Sequence, residues 1–173
     1  VGSEMCIRDS KGGESMIIKS ITLNNYRLYK GENTLSLSSS DEKNIVLISG
    51  ENGFGKTTFL HSLIWCLYGK LMIEVEVEIR KDINSNGYNS FLRSNMNNDV
   101  ISELERVIND EMRQSIKKKG YTPEIEHLRT LTTYSVTIEF SEVVIPSLPC
   151  TSIKISRSYD IIQDKESVEI LID

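Results

Sequence analysis

The run Gly50-Glu51-Asn52-Gly53-Phe54-Gly55-Lys56-Thr57-Thr58 has the spacing G-x-x-x-x-G-K-[ST], and its residue types suit one task, holding a nucleoside triphosphate. A triphosphate carries several negative charges, so a loop that wraps it has to bring successive backbone N–H groups within hydrogen-bonding reach. Gly50, Gly53 and Gly55, with Asn52 among them, give the loop the dihedrals and close approach that a Cβ would forbid. A helix that begins near Lys56 then aims its unpaired N–H groups and positive dipole end at the phosphates. On this reading Lys56 reaches the β- and γ-phosphates and is the catalytic cation, the Thr57 hydroxyl ligates Mg²⁺, and the Thr58 hydroxyl reaches the α-phosphate.

Other residues with chemical potential carry weaker patterns. His61 and His127 have no partner at the spacing that metal binding or acid–base work would need, and both read as structural or solvent-facing. The three cysteines show no paired spacing, which argues against a disulfide framework or a zinc site and for a reducing, cytoplasmic setting. Cys66 reads as a small core residue. The triplet Lys117-Lys118-Lys119 matches the negative end of a helix dipole better than it matches a DNA contact. Arg157 alternates with Ile155 and Tyr159 and so points inward. An inward Arg needs a partner, either in a structural ion pair or as a residue poised for a functional one.

Several elements must position these groups. Asn44-Ile45-Val46-Leu47-Ile48 is apolar and β-branched and predicts a buried strand feeding the loop, while Phe59, Leu60, Leu63, Ile64 and Leu67 recur at helical spacing up to Tyr68, with Gly69 as the stop. Ile17 to Leu23, with Leu35 and Leu37, predicts two strands joined by a turn region from Asn24 to Asn33 and lying beside the feeding strand. Ile73 to Ile79 alternates strictly and predicts a half-exposed strand, and Asp82 to Ser90 predicts a loop. A helix capped by Asp99 follows, with Val100, Ile101, Leu104, Val107, Ile108 and Met112 on one face. The last third predicts an antiparallel meander: Tyr134, Val136, Ile138 and Phe140, then Ile153 and Ile155, then Val168, Ile170 and Ile172, with turns around Pro146, Pro149 and Asp164.

The chain has 173 residues and a formal net charge of −5, so no global basic field advertises nucleic acid. No apolar stretch approaches membrane-spanning length. Residues 1–15 include Met5-Cys6-Ile7-Arg8-Asp9, which reads as the translation of a sequencing adapter. They lack the apolar core of a targeting peptide, and Met16 is taken as the native start. Residues 16–173 then form the N-terminal lobe of a truncated head, with the phosphate loop at 50–58, a helical insert at about 82–130 and the meander at about 131–173.

The order of residues also carries a resemblance. The segment from Met16 through Asn25-Tyr26-Arg27 to Gly31, then Leu47 to Thr58, then Leu67-Tyr68-Gly69, resembles the N-terminal half of the SMC/SbcC/RecF group of ABC-type ATPases. Within that group Tyr88 to Arg93, Ile155 to Tyr159 and Glu166-Ser167-Val168 are most similar to the DndD ATPases of DNA phosphorothioation systems. The resemblance implies an α/β fold of the P-loop NTPase class, an ABC/SMC-type head split by a long coiled coil. It implies ATP with Mg²⁺ as cofactors, Arg27 near the nucleotide, and ATP binding that joins two heads until hydrolysis parts them. The implied partners are DNA, a second ATPase head in a homodimer, and other subunits of a DNA modification or repair system, with no membrane.

The sequence holds no LSGGQ-like signature, no Walker B motif with its catalytic Glu and no heptad run. Asp173 mimics a Walker B aspartate without the signature that should precede it. Gln114 and Gln163 are the only candidates for a glutamine that orients Mg²⁺ and water, and both read as solvated side chains. Two alternatives stand beside a DNA-associated ATPase: the nucleotide-binding subunit of an ABC transporter, and an ATP-gated nuclease or another P-loop enzyme.

Overall fold

Alternation of apolar and small polar residues builds a sheet with one dry face. The computed structural model describes residues 16–37, 46–117, 125–144 and 150–173, so the readings placed on residues 1–15, Asn44, Ile45, Lys118 to Gly120, Pro146, Pro149 and the side chain of His127 lie outside the described residues. Strands β1 (Ile17–Tyr26), β2 (Tyr29–Ser36), β3 (Thr133–Ser141), β4 (Ser152–Asp160) and β5 (Lys165–Ile172) form one antiparallel sheet in the order β2-β1-β3-β4-β5. The register places Ile21 beside Ile138 and Ile155, and Leu23 beside Val136 and Arg157. Their face is covered by helices. The opposite face carries Ser20, Thr22, Thr137 and Ser156, joined across strands by the pairs Thr22–Thr34 and Thr137–Ser156, each 2.9 Å. A half-solvated antiparallel sheet is the form such alternation takes.

Helix α1 (Lys56–Tyr68) lies on the dry face, burying Phe59, Ser62, Trp65 and Cys66. Trp65 meets Tyr26 at 5.9 Å and Tyr134 at 5.1 Å between ring centroids, and Tyr134 continues to Tyr159 at 5.7 Å. An aromatic side chain buries about 150–250 Å². At about 25 cal/mol per Å² each ring is worth on the order of 4–6 kcal/mol, far more than an exposed ion pair such as Lys81–Glu78 at about 0–1 kcal/mol. Aromatic packing therefore fixes how α1 sits on the sheet.

The sequence expectations met the structure unevenly. The helix does end at Tyr68 with Gly69 as its cap. The turn between the first two strands is only Arg27 and Leu28, because a bulge between Asn24 and Tyr26 carries the first strand further than its apolar pattern. Val46, Leu47 and Ile48 are not a strand and are 50%, 85% and 43% exposed, since the described sheet offers that run no neighbour to pair with.

Residues 73–79 form no strand either. A short 3-10 helix (Gly69–Glu74) leads into α2 (Val77–Asn86), where Glu76 caps the helix and Ile79 and Ile83, four residues apart, turn inward. The segment expected to be a loop belongs to α2 and to α3 (Tyr88–Ser94), which break at Gly87. Helix α4 (Asn98–Lys117) is capped by Asn97 rather than Asp99: Asn97 Oδ1 accepts from the backbone N–H of Asp99 at 3.1 Å and of Val100 at 3.2 Å. Helix α5 (Ile125–Thr132) leads into β3, and the meander of β3, β4 and β5 follows.

The edge strands differ in character. On β2 the exposed positions include Lys30, Glu32 and Asn33, whereas on β5 Val168, Ile170, Leu171 and Ile172 are 47–57% exposed.

Arg157 reaches from β4 across the dry face to the end of α1, where its Nε donates to the Cys66 carbonyl at 3.0 Å and its Nη1 pairs with Glu166 at 3.1 Å. Of the two roles that its inward position allows, the structure gives it the ion pair. Gly69 sits against the guanidinium at φ +52°, and a Cβ there would lie 2.5 Å from Nη1. Gly87 also has a positive φ, +85°, but open space beside it. Gly69→Ala is therefore expected to cost about 2 kcal/mol or more, and Gly87→Ala about 1 kcal/mol, the backbone cost alone. Urea unfolding of both variants checks the ordering, and equal losses would remove the guanidinium contact from the explanation.

Candidate functional site

The phosphate loop leaves the sheet side and enters α1 through two left-handed glycines, Gly53 and Gly55, both at φ +88°. Gly55 is the residue before the helix, and its carbonyl accepts from Phe59 N at 2.8 Å and from the Tyr29 hydroxyl at 3.3 Å. A Cβ on Gly55 would stand 3.1 Å from that hydroxyl, so β2 packs directly on the loop. The first turn of α1 holds no acidic residue, which leaves its positive end unopposed. Lys56 folds back over the loop, its ammonium donating to the carbonyls of Gly50 at 2.5 Å and Glu51 at 2.8 Å.

These residues enclose a cleft of about 190 Å³ lined by Leu28, Asn52, Gly53, Gly55, Lys56, Thr57 and Thr58. Beside Leu28 and Asn52, its lining offers loop backbone, one ammonium and two hydroxyls, donors that match phosphate oxygens. The glycine cradle fits a polyphosphate, with Lys56 as its cation and the Thr57 hydroxyl as the oxygen available to Mg²⁺. When bound, that ion would neutralise phosphate charge and fix the orientation of the chain.

Arg27 comes to the same end of α1 without entering this cleft. It sits at φ +48° in the turn between β1 and β2, and the segment between α3 and α4 holds it there. Its backbone N–H donates to the Asn95 carbonyl at 2.7 Å, its Nε to Asn95 Oδ1 at 2.6 Å, and its carbonyl accepts from Asn97 Nδ2 at 2.5 Å. The Phe91 ring lies 5.9 Å from the guanidinium carbon. Arg27, Leu28 and Thr58 share a second cavity of about 270 Å³ with Ser94, Met96 and Asn98.

Sequence patterning alone does not single out Asn95, Asn97 or Tyr29. Asn97 carries a legible signal, an Asx residue directly before a helical apolar pattern. Asn95 carries none, because its role depends on a turn distant in sequence.

Other candidates lie elsewhere. Gln114 is exposed on α4, and Gln163 lies in the turn after β4, lining a groove with Leu104, Ile108, Leu128 and Ile162. Asp173 pairs with Ser152 through its backbone at the end of β5. None of the three lines the cavities that border the phosphate loop, including one of about 310 Å³ between the loop and β2 lined by Ser49, Gly50, Phe54, Lys56 and Tyr29.

Cys66 is fully buried, its thiol donating to the Val136 carbonyl at 3.3 Å, and burial pushes its pKa up to about 11 although Arg157 acts in the other direction. It is an inert core residue. His61, one turn after Thr57, is half-buried. Burial and then the Arg27 charge lower its pKa, with Glu76 opposing.

A family model described as AAA domain matches residues 20–170. No curated protein matches the chain. The matched span takes in all five strands apart from the start of β1 and the end of β5, together with the loop from Gly50 to Thr58 and Arg27. Among the described residues no helix is long and apolar enough to cross a membrane.

His61 makes the site measurable by pH. A histidine whose folded pKa is depressed takes up its proton more readily in the unfolded chain. Its contribution is therefore complete above the ordinary value of about 6.5 and declines as pH falls below it. The unfolding midpoint is expected to drop between about pH 7 and pH 5.5, and to drop less in His61→Gln. Urea titrations across that range test this, and parallel profiles for the two chains would contradict it.

Proposed function

The chain belongs to the AAA domain family, an ATPase of the SMC/SbcC type, and from that premise we propose that it is the nucleotide-binding N-terminal lobe of an SMC-like ATPase that works on DNA. The observation that carries this reading is the loop from Gly50 to Thr58: two glycines at φ +88°, an ammonium held over the loop and two hydroxyls at a helix start, all around one cleft. ATP binds with its phosphates in that cleft and Mg²⁺ on Thr57. Asn52, Gly53 and Gly55 donate backbone N–H groups, Lys56 takes the β- and γ-phosphates, and Thr58 takes the α-phosphate. Arg27 stands beside the nucleotide.

Binding joins this head to a second copy, and hydrolysis releases it. The DNA partner and the fellow subunits of a modification or repair system are supported by the family resemblance that includes the early Asn25-Tyr26-Arg27 element, the narrower likeness to DndD ATPases by Tyr88 to Arg93, Ile155 to Tyr159 and Glu166 to Val168, and the cytoplasmic setting by the unpaired spacing of the cysteines. A net charge of −5 adds no argument for DNA. The catalytic step also needs a carboxylate to position water and a signature loop from a facing head. Neither motif occurs in these 173 residues.

Lys56→Ala is expected to abolish ATP binding, because no other side-chain cation among the described residues lines the cleft. Titration with a fluorescent ATP analogue checks this, and undiminished affinity would sink the assignment. Thr57→Ala is expected to bind nucleotide with a weaker dependence on Mg²⁺. Residues 16–173 alone are expected to release phosphate from ATP at the background rate. Robust turnover sensitive to Lys56→Ala would place a complete active site within this chain.

A further inference from the structure

We infer that Asp164, in the turn between β4 and β5, is a positioning residue for the nucleotide site: its carboxylate straps α3 to the β4–β5 hairpin, and α3 in turn holds Arg27. The inference rests on the reading that places Arg27 beside the nucleotide. Asp164 stands at φ +53°, a backbone that Asp and Asn tolerate better than most side chains. Glycine would meet that shape requirement equally well. What Asp164 adds is a carboxylate with donors on both oxygens. The hydroxyl of the buried Tyr159 and Arg93 Nη2 at 3.3 Å meet Oδ1, and Asn89 Nδ2 donates to Oδ2 at 3.0 Å. The Tyr159 bond, and after it the Arg93 charge, hold the carboxyl below the usual carboxylate range.

Asn89 and Arg93 are four residues apart on α3 and so share one face, the face that meets Asp164. An exposed pair such as Arg93–Asp164 contributes little when isolated, but here the carboxylate is itself anchored by a buried hydroxyl. Helix α3 has seven residues, too few to persist without tertiary contacts. It joins α2 at Gly87, which has a positive φ and open space around it. The Leu92 carbonyl accepts from the Tyr134 hydroxyl at 2.8 Å, a neutral bond that fixes one point of the helix. The contacts to Asp164 set its rotation about that point. Asn95, the cap of α3, takes the Arg27 Nε at 2.6 Å, and the Phe91 ring lies 5.9 Å from the guanidinium carbon. Both ride on α3 and its cap, so a rotation of this helix displaces the guanidinium. Glu166 also receives α3, through Tyr88, but its pair with Arg157 anchors α1 as well. Asp164 is therefore the carboxylate whose loss isolates α3.

Two readouts on the full chain test the assignment. The Nε–H resonance of Arg27 in nitrogen-15 spectra, recorded without nucleotide, reports the bond to Asn95 directly. Asp164→Asn keeps a residue that tolerates positive φ and removes the charge, and Arg93→Gln removes the charge from the helix side. Both are expected to shift that resonance and to quicken its exchange with solvent, whereas Asp110→Asn, at an exposed pair on α4, leaves it in place. A resonance unmoved in both variants would overturn the strap, whatever the chain binds. Titration with ATP and magnesium chloride is the second readout. Asp164→Asn is expected to weaken ATP binding by about two- to thirtyfold, and to add no further loss in an Arg27→Ala background. An equal loss in that background would show that Asp164 acts without Arg27 and would overturn the positioning role. If Arg27→Ala alone leaves ATP affinity unchanged, the placement of Arg27 beside the nucleotide is wrong, and the positioning role falls with it even though the resonance moves.

Discussion

The aim of the phosphate loop is set at the far end of its helix, by a guanidinium. Arg157 is only 13% exposed in its side chain and joins three elements at once: the last turn of α1 through the Cys66 carbonyl, β5 through Glu166, and the start of the 3-10 helix through Gly69. A cation at the carbonyl end of a helix is favoured by the helix dipole, and a buried one is tolerable only when its hydrogen bonds are satisfied. Helix α1 has 13 residues and so spans about 20 Å. Once its C-terminal end is anchored and the Trp65 ring seated between Tyr26 and Tyr134, its N-terminal end has little freedom left. Tyr88 strengthens the anchor by donating to Glu166 at 2.9 Å, so the same carboxylate also ties in α3.

A second set of bonds couples the helices to the nucleotide end of the sheet. The bulge at Asn25 turns its carboxamide toward the chain around it: Nδ2 donates to the Thr130 carbonyl at 3.0 Å, and Oδ1 accepts from Gly31 N at 2.9 Å. Its carbonyl accepts from Asn97 N at 2.9 Å. Residues 25–27 and 95–97 therefore form one polar clasp in which most groups are backbone or amide. Such a network holds a turn in an otherwise strained positive-φ conformation, at Asn25 φ +53° and Arg27 φ +48°. Movement of the segment between α3 and α4 would be felt at Arg27 directly.

How much of this is legible in the sequence depends on how local the cause is. The helix start at Lys56, the stop at Gly69 and the alternation in β3 are written in adjacent residues, and they read correctly. Arg157 reads as inward because period-2 alternation fixes its face, although Glu166 and the Cys66 carbonyl as partners require the register. Residues 73–79 mislead because strict alternation of Ile and Val with Glu satisfies the strand pattern, while capping by Glu76 and burial of Ile79 and Ile83 decide for helix. The apolar run before the loop predicts a buried strand, and burial is not a property of a run by itself. It needs neighbours, and the described sheet supplies none for Val46 to Ile48. Asn95 and Asn97 are invisible as a clasp because their partner turn lies about 70 residues away.

The contrast between the two sheet edges bears on how the chain behaves in company. Polar and charged residues blunt β2, but β5 offers a row of backbone groups that no other described strand pairs, flanked by Val168, Ile170, Leu171 and Ile172, and an edge of that kind is a template for another strand. The two edges are four strand spacings apart, about 19 Å, and the phosphate loop sits by β2. Self-association through β5 would therefore leave the nucleotide cleft open. A preparation could bind its ligand in full stoichiometry and still be assembling into larger species, so retained binding is no evidence that the chain is monodisperse.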